Sequence, residues 1–387
     1  MKILIVAPQP FYQERGTPIS VDFLIRALLA RGDDVDLLTY HEGVDRTYER
    51  LRIFRIEPFP PIHHLRPGFS AKKLYCDVFL FFRLIPLLRE NRYDVVHAVE
   101  EGSLMALLLC PLRSIPFVCD VDSSMTTQLV DRFGLLRPFR PLLERIEAMP
   151  YRKAAAVVPM CDALADSIRR YRPKQIVVLK DVSLVREYKE WESAENLAKN
   201  LHLDGPVAMY IGNLGVHQGI DLLLAGFAIA VRSVEDASLI IIGGAPSEIH
   251  RYRVAAKNLG IGKRVHFLGP RPVEQIGLYM KQADVLVSPR KHGVNTPMKV
   301  YSYLDSGVAV LATRRQTHTQ VMTHEIAMLA EPSPDDLARG LVELFEDPDL
   351  RERLARNARA QIQREHSYAG FRERVHELYA RLEEMRP

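Results

Sequence analysis

Short apolar runs alternate with longer stretches of helical periodicity from one end of the chain to the other. Ile3–Ala7, Val35–Thr39, Val95–His97, Phe117–Asp120, Ala155–Val158 and Ile176–Leu179 read as strands in the first half. Val207–Ile211, Leu239–Ile242, Val265–Leu268, Val285–Ser288 and Val308–Leu311 read as strands in the second. These runs are nearly continuous in apolar residues, the mark of strands covered on both faces, and intervening helices make the sheets parallel. Asp181–Pro206 is charged and lacks a strand pattern, so it reads as a connection. The expected fold class is α/β: two Rossmann-like parallel-sheet domains facing each other across a cleft, with ligand sites at the carboxyl ends of the strands. The expected boundaries are a first domain 1–180, a linker 181–206, a second domain 207–365 and a C-terminal helix in 366–387.

A length of 387 residues agrees with two cores, and 47% hydrophobic content is enough to fill them. Cys76, Cys110, Cys119 and Cys161 are scattered without metal-ligand spacing, which fits buried free thiols and a cytoplasmic location. The apolar start of the chain ends at Pro8, as a first strand would, rather than continuing as a signal peptide. Val78–Leu88 is interrupted by Arg83 and Pro86, and Leu104–Cys110 stops at Pro111, so neither reaches membrane-spanning length. Residues 1–180 hold 26 Lys and Arg against 21 Asp and Glu, while residues 181–387 hold 26 against 27. Two basic and apolar stretches lie in that first half. Phe69–Arg92 carries Lys72, Lys73, Phe79, Phe81, Phe82 and Arg83, and Arg132–Lys153 carries Phe133, Leu135, Leu136, Arg137, Phe139 and Arg140. Such helices suit an anionic membrane surface, so peripheral attachment at its inner face is expected; a core face with a solvated basic rim is the plainer reading of either one. No nucleic-acid partner is expected.

The most informative loop is Ser288–Leu304, a polar, Gly-containing segment between a buried strand and a helix. Thr296 reads as an N-cap, Pro297 as the first helical residue and Gly307 as the stop. A helix start at the carboxyl edge of a sheet offers N–H groups to an anion, and Arg290, Lys291 and Lys299 add formal charge, so the expected cargo is a phosphate. Gly16-Thr17-Pro18, after the first strand, is a second place where backbone can approach a phosphate closely.

Further pieces are Met1-Lys2-Ile3-Leu4-Ile5-Val6, Tyr93-Asp94-Val95-Val96-His97-Ala98, Tyr210-Ile211-Gly212-Asn213-Leu214, Gln218-Gly219-Ile220-Asp221-Leu222-Leu223, Ile240-Ile241-Ile242-Gly243-Gly244, Val265-His266-Phe267-Leu268-Gly269 and Ala309-Val310-Leu311-Ala312-Thr313. In this order the chain resembles, over its whole length, the family-4 retaining glycosyltransferases of GT-B architecture. Its Asn-Thr-Pro-Met-Lys loop is similar to that of a divergent branch, and Ala309 replaces a usual proline. The resemblance implies a nucleoside diphosphate sugar donor in the second domain, no metal or other cofactor, and a last helix that crosses back to the first domain.

Departures from the family pattern are concentrated at the donor. Where the family holds the diphosphate with an Arg and a Lys, this chain has Asn213 and Gln218; where the family has two Glu, it has His292 and Ser302. Lys299 with Arg290 is the expected replacement, since developing negative charge on the leaving group must be met by cations or N–H donors. An exposed first-turn lysine is the alternative for Lys299. Asn213, Gln218, Gly244, His292, Gly293, Asn295 and Thr296 would also line the donor, with Pro270 and Arg271 framing the base through backbone contacts and Ser302 touching ribose. Asp122 stands where the family often has a histidine near the reacting sugar, so the acceptor would enter near Gly16, Thr17 and Asp122; Ser123 or Ser124 would N-cap the next helix.

His97 ends a strand and reads as structural, and the pair His63-His64 lacks a carboxylate cluster at ligand spacing. The expected activity is retaining transfer to a glycan or lipid-linked acceptor in cell-envelope polysaccharide or glycolipid synthesis. Loss of the family cations and glutamates keeps open a non-catalytic protein that binds a sugar nucleotide or a partner enzyme. An epimerase would need acid and base carboxylates that are not located in the sequence.

Overall fold

The computed structural model describes residues 1–13, 16–65, 70–185, 194–293 and 296–385. The chain divides into two compact units, Met1–Asp181 with Ala369–Pro387, and Val182–Tyr368. In the first unit six parallel strands, β1 (Lys2–Ala7), β2 (Asp34–Thr39), β3 (Leu51–Arg55), β4 (Val95–Val99), β5 (Phe117–Val121) and β6 (Ala156–Pro159), lie in the order β3-β2-β1-β4-β5-β6. In the second, β7 (Val207–Ile211), β8 (Ser238–Ile242), β9 (Val265–Gly269), β10 (Val285–Ser288), β11 (Ala309–Thr313) and β12 (Met328–Ala330) lie in the order β12-β11-β10-β7-β8-β9.

The two orders are the same topology, and each reverses direction at one place, between β1 and β4 and between β7 and β10. A crevice opens outside the carboxyl ends of the strands at such a reversal, because the connections on either side run to opposite faces. Apolar side chains of β7 alternate between two cores, Ala208 and Tyr210 on one side and Val207, Met209 and Ile211 on the other. Helices on both faces explain why the strands read as continuous apolar runs.

The differences from expectation are local. Ile176–Leu179 is not a strand; only a single bridge joins Ile176 to Val157. β3 went unrecognised because its Arg52 and Arg55 break the apolar run of an edge strand, and β12 because it is three residues long. The helix after β10 is Met298–Asp305 with Pro297 in the capping place, so neither Thr296 as N-cap nor Pro297 as first helical residue holds. Gly307, at φ +83°, does end it. The segment 181–206 includes the helix Leu197–Leu201; residues 186–193 lie outside the described part. The last helix, Tyr368–Glu384, packs within the first unit, where His376 Nε2 donates to Ala27 O at 2.9 Å. All four cysteines are free and buried. Among the described residues no helix is long and apolar enough to cross a membrane.

Candidate functional site

In the second unit the loops after β7 and β10 flank the reversal point, and Lys299 reaches from the start of helix Met298–Asp305 into the loop after β7. Its Nζ donates to Tyr210 Oη at 2.7 Å and to Gln218 Oε1 at 2.9 Å, and stands 3.9 Å from the centroid of the Tyr210 ring. Tyr210 Oη in turn donates to Asn213 O at 2.6 Å. Lys299 therefore is not the exposed first-turn lysine of the plainer reading. Burial, reinforced by the charge of Arg290, pushes its ammonium well below the usual lysine range. Arg290 is itself lowered by burial. Among the described residues neither forms an ion pair with a carboxylate, whereas Lys291 is paired with Asp221 at 2.6 Å. Two partly buried cations that repel each other and lack a counter-ion make a place where an anion would be stabilising.

The loop that carries Arg290 is fixed from below. Arg290 Nε donates to His292 O at 2.8 Å, and Thr313 Oγ1 donates to Arg290 O at 2.5 Å. Fully buried His318 bridges Ser288 Oγ, 2.8 Å from its Nε2, and Thr313 O, 2.8 Å from its Nδ1, and burial holds it down to about 4, hence neutral. Gln320 Nε2 donates to Thr296 Oγ1 at 2.8 Å. Gly293 has φ +122°, a backbone conformation that favours glycine, and the Arg290 guanidinium lies against it. Tyr210 and Thr313 belong to motifs that carry the family resemblance, yet nothing local in the sequence gives them, His318 or Gln320 a part in holding this loop, since they meet it only through the fold.

Other expected donor residues fare differently. Gln218 is 4% exposed, and its Oε1 accepts from Lys299. Ser302 is 2% exposed and accepts from Leu184 N–H at 3.1 Å. Arg271 is turned toward Glu195, 2.9 Å away, and Leu268 O, with exposed Pro270 beside it. Gly244, at φ +85°, would drive a Cβ to 2.4 Å from Leu214 Cδ1, so it serves the close approach of two loops. Asn213 and His292 are exposed at the rim. Asn295 lies outside the described residues.

In the first unit Gly16 opens helix Gly16–Arg31, and a Cβ on it would meet nothing within 4 Å, leaving that helix start open. Thr17 hydrogen-bonds Asp122. Burial first, then the nearby Asp120, Glu100 and Asp181, push the Asp122 carboxyl well above the usual range. Asp181, bonded to Ser20 Oγ at 2.8 Å, is raised to about 6 by burial. His97 is fully buried between Tyr379 Oη at 2.8 Å and Asp120 Oδ2 at 3.1 Å, so it is structural, though its partners are side chains. Ser124 caps the helix Met125–Arg132 by accepting from Thr127 N–H at 3.2 Å. Lys73, expected on a membrane-facing surface, is buried against Glu101 at 2.8 Å. The His63-His64 pair does have a carboxylate near it: Glu42 and His41 come beside His63 through the fold.

Residues 15–180 match the family model described as Glycosyltransferase Family 4, and residues 192–361 match that of Glycosyl transferases group 1. A sulfoquinovosyl transferase of Arabidopsis thaliana is 21% identical over 93% of this chain and 70% of its own length. A 2-deoxystreptamine N-acetyl-D-glucosaminyltransferase of Streptomyces fradiae is 27% identical over 74% of this chain and 71% of its own. Among solved structures, sucrose-phosphate synthase of Thermosynechococcus elongatus superposes with a TM-score of 0.77 at 19% identity, covering 98% of both chains. HepE of Anabaena, solved with UDP-glucose, gives 0.76 at 15% identity, covering 98% of this chain and 100% of that one. With both models matched in order along a chain that carries two sheets of one topology, the chain is a glycosyltransferase of the GT-B type, family 4 in its first unit and group 1 in its second.

Proposed function

We propose that the protein is a retaining transferase that moves a sugar from a nucleoside diphosphate donor to a glycan or lipid-linked acceptor, at the inner face of a membrane. The observation that carries the donor reading is the pair Arg290 and Lys299, two partly buried cations without a carboxylate partner among the described residues at the reversal point of the second sheet. A diphosphate would supply the missing counter-charge and would restore both groups toward their ordinary basicity. That HepE was solved with UDP and with UDP-glucose supports the same class of donor.

In the reaction, the anomeric C–O bond breaks with its electron pair going to the diphosphate, which Lys299 and Arg290 stabilise. The acceptor oxygen bonds to the anomeric carbon on the same face, and its proton passes to an oxygen of the departing diphosphate, so no side-chain base is required. Asp122, hydrogen-bonded to Thr17, would hold an acceptor hydroxyl there. A binding-only protein is the weaker reading, because Lys299 supplies a cation beside Gln218, where the family lysine is replaced.

The test is a donor screen by release of nucleoside diphosphate, with and without lipid extract. One donor should give turnover, and Lys299→Ala should lower it by about two decades, with Lys299→Met, which keeps the volume, equally impaired. Unchanged turnover at saturating donor would remove Lys299 from the site. Binding of nucleoside diphosphate without release from any donor would favour the binding-only protein.

A further inference from the structure

We propose that the first unit carries a divalent transition-metal site of the zinc type, formed by His41, Glu42 and His63. The three come from separate places: His41 and Glu42 follow β2 after Tyr40, while His63 lies in the segment after β3. A ligand atom from each lies within 4.8 Å of the others, and the two imidazole rings meet edge to face at 6.0 Å.

The hydrogen bonds around the cluster say more than its proximity. His41 Nε2 is 2.6 Å from Ile62 O. A carbonyl only accepts, so Nε2 carries the proton and Nδ1 is left as a bare lone pair. That Nδ1 is buried and has no hydrogen-bond partner. Buried acceptors are rarely left in this state, and a metal ion is one partner that satisfies them without a proton. A ligating histidine ordinarily donates its other ring N–H to a backbone carbonyl, which is what Ile62 receives here.

Glu42 is oriented in the same way: its two carboxylate oxygens accept from His64 N–H at 2.6 Å and Leu65 N–H at 3.0 Å, and each keeps a lone pair. His63 is exposed and can swing. Neighbouring ligands of a tetrahedral zinc are roughly 3.3 Å apart, so closing the cluster needs a side-chain movement of about 1 Å. Two imidazoles and one carboxylate select zinc and its transition-metal neighbours over magnesium or calcium, and leave a fourth position for water. Among the described residues Lys72, whose Nζ donates to His63 O at 2.7 Å, and Arg55, whose Nη1 donates to Glu42 O at 2.9 Å, are cations near the cluster and work against the site. Both are engaged with carbonyls, and Arg55 also with the Asp45 carboxylate at 2.6 Å, rather than with that of Glu42. The bound ion would tie the end of β2 to the segment that leads toward helix Ala71–Glu90; the proposal is independent of the transfer chemistry.

The experiment uses the untagged full chain, stripped with chelator, and titrates Zn2+ in competition with a chromophoric chelator. Co2+ is then titrated, because tetrahedral cobalt gives intense visible absorption. One equivalent of Zn2+ should bind, with the cobalt bands present and an upward shift of the unfolding midpoint. His63→Ala, at an exposed position, should weaken Zn2+ by at least about tenfold and abolish the bands, while His64→Ala keeps both. His41→Gln is the second variant and should behave like His63→Ala. No stoichiometric binding by the folded wild type, or equal affinity in His63→Ala and wild type, would overturn the proposal.

Discussion

The Lys299 ammonium lies 2.9 Å from Gln218 Oε1, so two positions far apart in sequence share one point in space. The resembled family carries its lysine near position 218, and here the charge arrives from position 299 while an amide takes the other end. Gln218→Lys alone would set two ammonium groups against each other, repelling by about 5 kcal/mol at an effective dielectric of about 20, and should cost stability and donor affinity. The exchange Gln218→Lys with Lys299→Gln keeps one cation and one amide. It should return donor affinity to within about tenfold of wild type, a non-additive recovery measured by calorimetry with nucleoside diphosphate across the double-mutant cycle. A double variant no tighter than Lys299→Ala would mean that the direction from which the charge enters matters, and the equivalence of the two positions fails. The resemblance makes Lys299 the expected replacement for the missing cation, but its contact with Gln218 is not legible in the sequence, where the two residues belong to different motifs.

Helices of the first unit carry apolar residues that their packing leaves uncovered. Leu135, Phe139, Leu142, Ile146 and Met149 recur at spacings of four, three, four and three along the 3-10 turn Gly134–Phe139 and the helix Arg140–Lys153, with exposures of 91, 57, 54, 37 and 47%. Leu74, Val78 and Phe82 form a similar row on Ala71–Glu90, whereas Phe79 and Phe81 pack on the core. Arg137, Arg140 and Arg145 are exposed beside the first row; Arg140 pairs with Glu144, and the Arg132 side chain, like Phe69, lies outside the described residues. An apolar row with a basic flank suits an anionic bilayer, each base contributing about 1 kcal/mol near the surface and less as salt rises. Wild type should sediment with anionic but not neutral vesicles at low salt, and changing Leu135, Phe139 and Leu142 to Ser, or Arg137 and Arg140 to Ser, should release it. Sedimentation that is equal for all three proteins would make these rows ordinary surface. The sequence pointed to both stretches but included Lys73, which Glu101 removes from the surface; periodicity does not tell which apolar face finds a partner.

Across the whole molecule, acid acts on the two units with opposite sign. In the first unit the Asp77 carboxyl is raised to about 7, by burial and despite the 2.5 Å bond from Tyr40 Oη. An unfolded Asp titrates near 3.9, so between about pH 4 and 7 the folded state holds a proton that the unfolded state has lost. That stabilisation is complete below about pH 4 and disappears as pH rises through about 7. In the second unit His318 is lowered to about 4 by burial, so the unfolded chain binds the extra proton below about pH 6.5; its stabilisation is present above that and is lost as pH falls toward 4. Asp77→Asn should therefore flatten a fall in stability between pH 4.5 and 7, and His318→Gln should flatten a rise, each by about 1–2 kcal/mol in chemical denaturation. Parallel pH profiles for wild type and both variants would show that neither group is perturbed as its surroundings imply. What the sequence alone determined was the architecture: apolar runs of strand length separated by helical periods can bury both faces of a sheet only as parallel α/β layers, and eleven of the runs were visible, ten of them as strands. The edge strands β3 and β12 were lost because their hydrophobic signal is half-strength or short. Only tertiary structure decided the site, since Tyr210, Gln218, Arg290 and Lys299 converge through a strand order that brings β7 beside β10, and no local period records which strands become neighbours.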